Sequence, residues 1–332
     1  MKKLIVFAAA AMMATPAMAS KARIEALGNS RQLTDVQYVF DRPYMIHSVG
    51  EMVTMEWGDK GAATPKAEAG IFKNMFGGAF GLYLGRTGYL TDSVTGTLLG
   101  EQNPINILYG QKTGDISWGL NLGYSNGKQD TGDRKVSSTD LAVGATNGTW
   151  EVEVGFQLSG KSEETGNEVK VKDNTRLGFG YNIDETQHAY VTTSSKKLDG
   201  ADGSTATEVG YIRTVAKTEE ANFFYGVAYA MSEDKDADSK SSGLPVWMGV
   251  EAAATSWMTM RASVKQTVLI NETETAGNKS SLDNIAFAAG AGIKLGKGML
   301  DMTFGTAQNG HISFSNGAAD EFFSDVSYTY MF

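Results

Sequence analysis

The sequence predicts an all-β protein: a transmembrane, antiparallel, up-and-down β-barrel of sixteen strands, with fourteen as the alternative count, preceded by a short N-terminal segment. Three observations predict it. The first is a period of two in side-chain character, sustained over runs such as 116–124, 150–158 and 285–293. These runs exceed the ~5–6 residues of an ordinary soluble strand and approach the ~9–11 that a tilted strand needs to cross a bilayer. The second is a regular alternation of short and long polar connections between the runs, which is the sidedness of a barrel inserted from one face. The third is composition: 39 Gly, 5 Pro and no Cys among 332 residues. That is about 12% Gly against a usual ~7%, and Gly is a poor helix former.

The elements follow in chain order. Residues 1–19 read as a signal peptide: Lys2 and Lys3 supply the positive start, 4–14 the apolar run, and Ala17-Met18-Ala19 the small-residue cleavage site. Residues 20–50 mix helical spacing with a Pro stop at Pro43. The barrel is expected over 51–332. Residues 51–57 form a clear first strand, whereas 67–75 alternates poorly, and an inward fold of that hairpin would leave fourteen strands. From there alternation is regular: Ile116 to Tyr124 and Trp150 to Leu158 keep large apolar residues on one face. Phe223, Tyr225, Val227, Tyr229 and Met231 do the same, as do Met258 to Ile270 and Ile285 to Ile293. Short turns are expected at 77–78, 113–114, 147–149, 184–186, 218–220, 256 and 296–297. Long loops are expected at 58–66, 87–103, 127–137, 161–173, 198–205, 233–243, 271–282 and 308–321.

Several function classes are excluded at this level. After residue 19 no stretch is apolar for the ~18 residues of a spanning helix. A net charge of −9 without a basic cluster argues against nucleic acid, whose binding rests on neutralised phosphates. Without Cys there are no disulfides, thiolate metal sites or cysteine nucleophiles. No cofactor, metal or catalytic residue is expected. The three histidines, His47, His188 and His311, lack the company of a triad. The glycines at 290–298 miss the phosphate-loop spacing, and Asp234, Asp236 and Asp238 lack the Gly and Glu of a calcium loop.

A barrel assigns its two faces different tasks. The apolar face carries aromatics near strand ends (Trp57, Trp118, Tyr124, Trp150, Tyr181, Tyr190, Trp257), as interface girdles do. The opposite face points into the lumen and carries Glu56, Asn106, Asn121, Glu151, Glu153, Gln157, Arg176, Glu251, Arg261, Lys265, Lys294, Asp301 and Asp325 as expected pore-lining residues. Six acids against four bases predict a mild cation preference. Arg261 and Lys265 lie on one strand about 13 Å apart at ~3.3 Å per residue, and Arg176 could join them in a basic wall. Ala252, Ala254, Ala289 and Ala291 form a small-residue patch on the outer face, a candidate contact between copies.

The last strand makes the reading specific. Val326, Tyr328, Tyr330 and a final Phe332 share one face. This resembles the terminal strand of Gram-negative outer-membrane β-barrel proteins, which the barrel-assembly machinery reads as its assembly signal. With the signal peptide and strand pattern, the whole mature chain resembles a general porin. That resemblance implies a water-filled channel for passive diffusion of small hydrophilic solutes and ions. It also implies outer-membrane lipid and lipopolysaccharide as surroundings, and a homotrimer. No loop stands out as the long inward-folded third loop of trimeric porins, and 20–50 is the other candidate constriction. Ala26-Leu27-Gly28 with Asp35 and Pro43 is similar to the N-terminal hatch of long-chain fatty-acid transporters, which implies a gated conduit for hydrophobic compounds. A third expectation is a purely structural surface barrel with a plugged lumen.

Overall fold

The computed structural model describes residues 20–58, 67–88, 100–218, 221–281, 285–306 and 322–332. The predicted signal peptide, most of the first two long loops, and the 308–321 loop with His311 lie outside these residues.

Seventeen strands form one antiparallel sheet: β1 (Met52–Trp57), β2 (Ala67–Met75), β3 (Gly78–Leu84), β4 (Ile105–Thr113), β5 (Ile116–Gln129), β6 (Arg134–Thr146), β7 (Trp150–Glu164), β8 (Asn167–Asn182), β9 (Gln187–Leu198), β10 (Ser204–Lys217), β11 (Ala221–Asp234), β12 (Ser239–Thr255), β13 (Met258–Thr275), β14 (Asn278–Ser280), β15 (Ile285–Leu295), β16 (Gly298–Thr306) and β17 (Phe322–Met331). The short β14 and β15 both pair with β13 and are two pieces of one barrel strand, so the wall has sixteen. It closes where β1 pairs with β17, from Met52↔Met331 to Trp57↔Val326. Closure leaves no unpaired edge, the condition for β-structure in lipid.

The outer face is apolar. Ile107, Leu122, Val143, Leu177, Phe179, Val191, Val209, Met248, Met260 and Phe304 are exposed there, which only lipid makes favourable over such an area. Trp57, Tyr124, Tyr181 and Trp257 are likewise exposed on it. Tyr190 departs from the girdle expectation. It is buried on the lumen face, donates to Glu208 at 2.6 Å and covers Gly210 on the next strand. The sequence expectation had grouped it with the outward aromatics, whereas its register places it beside His188 and Thr192 on the inner side.

The expected long loops are a second correction. Four of those polar stretches, 127–137, 161–173, 233–243 and 271–282, are mostly strand among the described residues: β8 has 16 residues, β12 has 17 and β13 has 18, more than a bilayer crossing requires. They run on as hairpins with tight turns such as Gly166 and Gly277, both at positive φ. Polar side chains on both faces mark strand that has left the membrane, which composition alone reads as loop.

Residues 20–50 fold inside the barrel. Ser20 caps α1 (Lys21–Ala26) by accepting from the Arg23 N–H. The helix ends at Gly28, whose φ of 68° only Gly adopts without penalty. Asp35 caps a short 3₁₀ turn at Val36–Tyr38. A second, at Pro43–Met45, leads into α2 (Ile46–Val49) and then β1. α1 packs on β13 and β15–β17, and the Pro43–Met45 turn packs on β4–β6.

Burial of apolar surface holds this segment in place. Val36, Val39, Phe40, Tyr44, Ile46 and Val49 pack with Met52, Phe72, Tyr83 and Leu108 of the wall. Leu27 and Leu33 pack with Tyr190, Ile212, Phe224 and Trp247. Glycine makes the seats. A Cβ on Gly290 would stand 2.8 Å from the Ala26 Cβ, and one on Gly110 would stand 2.6 Å from Ile46. The poor alternation of 67–75 has the same origin: Phe72 points inward, against the plug, so both faces of β2 carry large apolar residues.

Candidate functional site

The site is the lumen where it meets the N-terminal segment, and its lower level is charged. The Arg23 guanidinium donates to Glu251 at 2.9 and 3.1 Å and to Asp35 at 3.3 Å. Arg261 of β13 donates to the same Glu251 at 2.6 Å and to Asp301 at 2.5 Å, and Ser20 donates to Asp301 at 2.9 Å. Two guanidiniums therefore share three carboxylates, leaving one negative charge in excess. Burial pushes the Asp35 carboxyl up to about 7, against the pull of Arg23 and the N–H groups of Gln37 and Ser20. Burial opposes charge on Arg23 as well, but Glu251 and then Asp35 outweigh it and raise its pKa.

Across the lumen, Arg31 donates to Glu151 at 2.8 Å and to Glu153 at 2.9 Å. Its guanidinium also lies 5.4 Å from the Tyr190 ring. His188 stacks on Tyr190, bonds Asn182 through Nδ1 at 2.8 Å and approaches Glu151 at 3.5 Å. Near the top of the plug Asp41 meets Arg176 at 2.5 Å. The guanidiniums of Arg176 and Arg86 beside Asp41 hold its carboxyl below the usual range.

The structure puts the thirteen expected lumen residues in unequal roles. Seven touch the plug: Glu56 (from Gln37, 2.7 Å), Asn121 (to the Phe40 carbonyl, 3.2 Å), Glu151, Glu153, Arg176, Glu251 and Asp301. Arg261 joins them through Glu251 and Asp301, which separates it from the basic wall expected with Lys265. Asn106 lines a small cavity with Phe40 and Asp41. Gln157 bonds Ser138 and Asn174, Asp325 is buried beside β16, and Lys294 is exposed near the 296–297 turn. Lys265 lines the upper lumen with its amine 5.7 Å from the Trp247 ring. Val326, Tyr328 and Tyr330 alternate with the buried Asp325, Ser327 and Thr329, so they face outward, and Phe332 packs edge-on against Tyr330.

Sequence reasoning missed the inward apolar residues Phe72, Tyr83, Leu108, Ile212, Phe224 and Trp247. They form a seal. On β9 the inward side chains run His188, Tyr190, Thr192, Ser194 upward from the short turn; on β12 they run Glu251, Gly249, Trp247, Pro245. The first members border a lower space of about 720 Å³ reaching the 183–186 turn. The last members border an upper vestibule of about 470 Å³. Between them Leu27 and Leu33 of the plug meet Tyr190, Phe224 and Trp247, an apolar layer across the lumen. The signal was present wherever both faces of a strand are apolar, as at Phe223-Phe224-Tyr225.

Among the described residues no group of His, Asp and Glu is arranged to hold a metal ion.

Comparison with protein-family models finds no match, and comparison with curated proteins finds none. Solved structures are similar in fold. A bacterial polysaccharide outer-membrane secretin aligns over 85% of this chain and 97% of its own at 6% identity, with a TM-score of 0.53. BamA from Haemophilus ducreyi, lacking POTRA domains 1–3, aligns over 84% and 70% at 10% identity, TM-score 0.46. OmpT of Vibrio cholerae aligns over 84% and 95% at 13% identity, TM-score 0.39. At these identities the likeness is one of fold. With its closed wall, apolar outer belt and exposed interface aromatics, the chain is a Gram-negative outer-membrane β-barrel protein.

Proposed function

We propose that this barrel is a gated channel for small hydrophilic solutes, a porin whose lumen is closed by its own residues 20–50 and opened when that segment shifts, with no chemical turnover. One observation carries the reading: beside its apolar packing, the plug is tied to the walls by ion pairs of Arg23, Arg31 and Asp41, over a lumen whose upper half is lined by hydroxyls and charges. Charged groups released from such pairs are re-solvated by entering water, so movement exposes less apolar surface than unfolding a core would. A conduit for hydrophobic compounds is less well supported, since the vestibule lining is rich in Ser and Thr.

The test is a covalent lock. Cβ atoms at Gly28 and Ser263 would stand 3.4 Å apart, near the ~3.8 Å typical of a disulfide, and the chain has no other Cys. The pair Gly28→Cys with Ser263→Cys, refolded and placed in planar bilayers, is expected to conduct only after reduction. Cysteine at positive φ costs about 1–2 kcal/mol, which a well-packed barrel tolerates. Equal conductance before and after reduction would refute gating by this segment.

A further inference from the structure

We propose that the vestibule above the plug binds a small anionic, polyhydroxylated solute, a sugar acid in chemical class, and that the bound anion competes with Asp41 of the plug for Arg176. The inference rests on reading the vestibule as the solute path, and it adds the solute's class and the way its arrival reaches the plug.

The vestibule holds two cations and one anion, Arg176, Lys265 and Glu208. Glu208 is engaged, accepting from the Tyr190 hydroxyl at 2.6 Å. Lys265 makes no ion pair with any described residue and has only the Trp247 ring beside it. Its three donors face a cavity whose one described carboxylate, Glu208, accepts instead from Tyr190. Around it stand inward hydroxyls of Thr192, Ser194, Ser232, Ser241 and Thr267, each able to give and take a hydrogen bond, as a sugar hydroxyl requires. A volume of about 470 Å³ lies within the range of small-molecule sites.

The link to the plug is the Asp41–Arg176 pair. Its side chains are 44% and 33% exposed, whereas those of Asp35 and Arg23 are 0% and 5% exposed. An ion pair open to water is weakly held and can be exchanged. A planar guanidinium can donate to a solute carboxylate as it donates to Asp41. Lys265 and Arg176 line the same cavity, so a carboxylate drawn in by Lys265 can pass to Arg176. Taking Arg176 releases the upper tie of the plug.

The experiment is calorimetric titration of the refolded full-length mature barrel in detergent with glucuronate, and with glucose as the neutral control. Glucuronate is expected to bind at least roughly tenfold more tightly than glucose, with affinity falling as salt rises. Lys265→Gln is expected to weaken glucuronate by about tenfold and Lys265→Arg to retain it. Asp41→Asn, which removes the competitor, is expected to tighten binding. Equal affinity for the two sugars, or indifference to Lys265→Gln in a barrel that folds, overturns the site. Unchanged affinity in Asp41→Asn overturns the competition. The measurement needs no bilayer, so binding without conductance refutes only the channel reading, and conductance without binding refutes only this one.

Discussion

Replacing Arg23 with Gln tests whether charge holds the plug. Arg23 makes four hydrogen bonds, two to Glu251, one to Asp35 and one to the Thr34 carbonyl. Its removal leaves Glu251, Asp35 and Asp301 facing Arg261 alone, so the buried excess grows from one negative charge to three carboxylates against one guanidinium. Breaking a buried pair by deleting one partner costs about 3–5 kcal/mol, because the other charge is left uncompensated. Since 1.4 kcal/mol is about tenfold, the ratio of docked to displaced plug should fall by about two to three and a half orders of magnitude. Glu251→Gln removes an anion instead and leaves two carboxylates against two guanidiniums. The Gln oxygen still accepts from the guanidiniums, though no longer as an anion, and neutrality is restored, so its effect should be smaller. The assay is amide hydrogen exchange of peptides spanning 20–50, at pH 8, with barrel-strand peptides as internal reference. Protection should fall steeply in Arg23→Gln, less in Glu251→Gln, and hardly at all in the wall. Equal loss in both variants, or none in either, would refute the charge-counting argument.

Three further outcomes are expected. Asp35, lifted by burial to about 7 from an ordinary value near 4, binds more protons docked than displaced between those limits. Its contribution to docking is therefore greatest at the acid end, declines as pH rises toward 7 and is flat above; Asp35→Asn should lessen that slope in plug exchange, and an unchanged slope would refute the assignment. Gly226→Ala should destabilise the barrel, since a methyl there would enter the Trp247 ring, at about 1–3 kcal/mol for an overpacked site. Denaturant midpoints would show it, and Trp247→Leu in the same chain should relieve it. Phe332→Ala should reduce assembly into the outer membrane in cells while leaving refolding in detergent intact, because Phe332 caps the outward face of β17 without joining the core; equal loss in both assays would make its role structural.

The wall was legible because a period of two in chemistry and a period of two in geometry are the same fact. Lipid outside and polar matter inside impose it strand after strand, as at Leu120, Leu122 and Tyr124 against Asn121. The charged lumen positions were legible for the same reason, since parity alone assigns a face. What parity does not assign is a partner. Glu151 and Glu153 read as the field of an open pore, whereas Arg31, more than a hundred residues earlier, pairs with both. The inward aromatics were hidden by their resemblance to outward ones. Tyr190 could join a girdle on composition, and only its pairing with Gly210 and its bond to Glu208 turn it inward.

The plug is not held alike along its length, and that asymmetry bears on how it would move. Its second half, from Val36 to Val49, continues into β1 and is packed by Phe72, Tyr83 and Leu108. Withdrawing it would expose Phe40, Tyr44 and Ile46 at about 1.5–3 kcal/mol for each large apolar side chain. Its first half is tied by Arg23 and Arg31 to carboxylates on β7, β12 and, through Ser20, β16. Those groups would be re-solvated by water entering from the lower space, which already borders Arg23 and Glu251. Only Leu27 and Leu33 seal that half against the vestibule. The cheaper displacement is therefore a swing of residues 20–35 about the anchored 36–50, opening the path along β9–β12 while the β2–β4 side stays filled. Exchange of 20–35 ahead of 36–50 under native conditions is the expected signature, and simultaneous release of both halves would mean that the seal and the anchor are one cooperative unit.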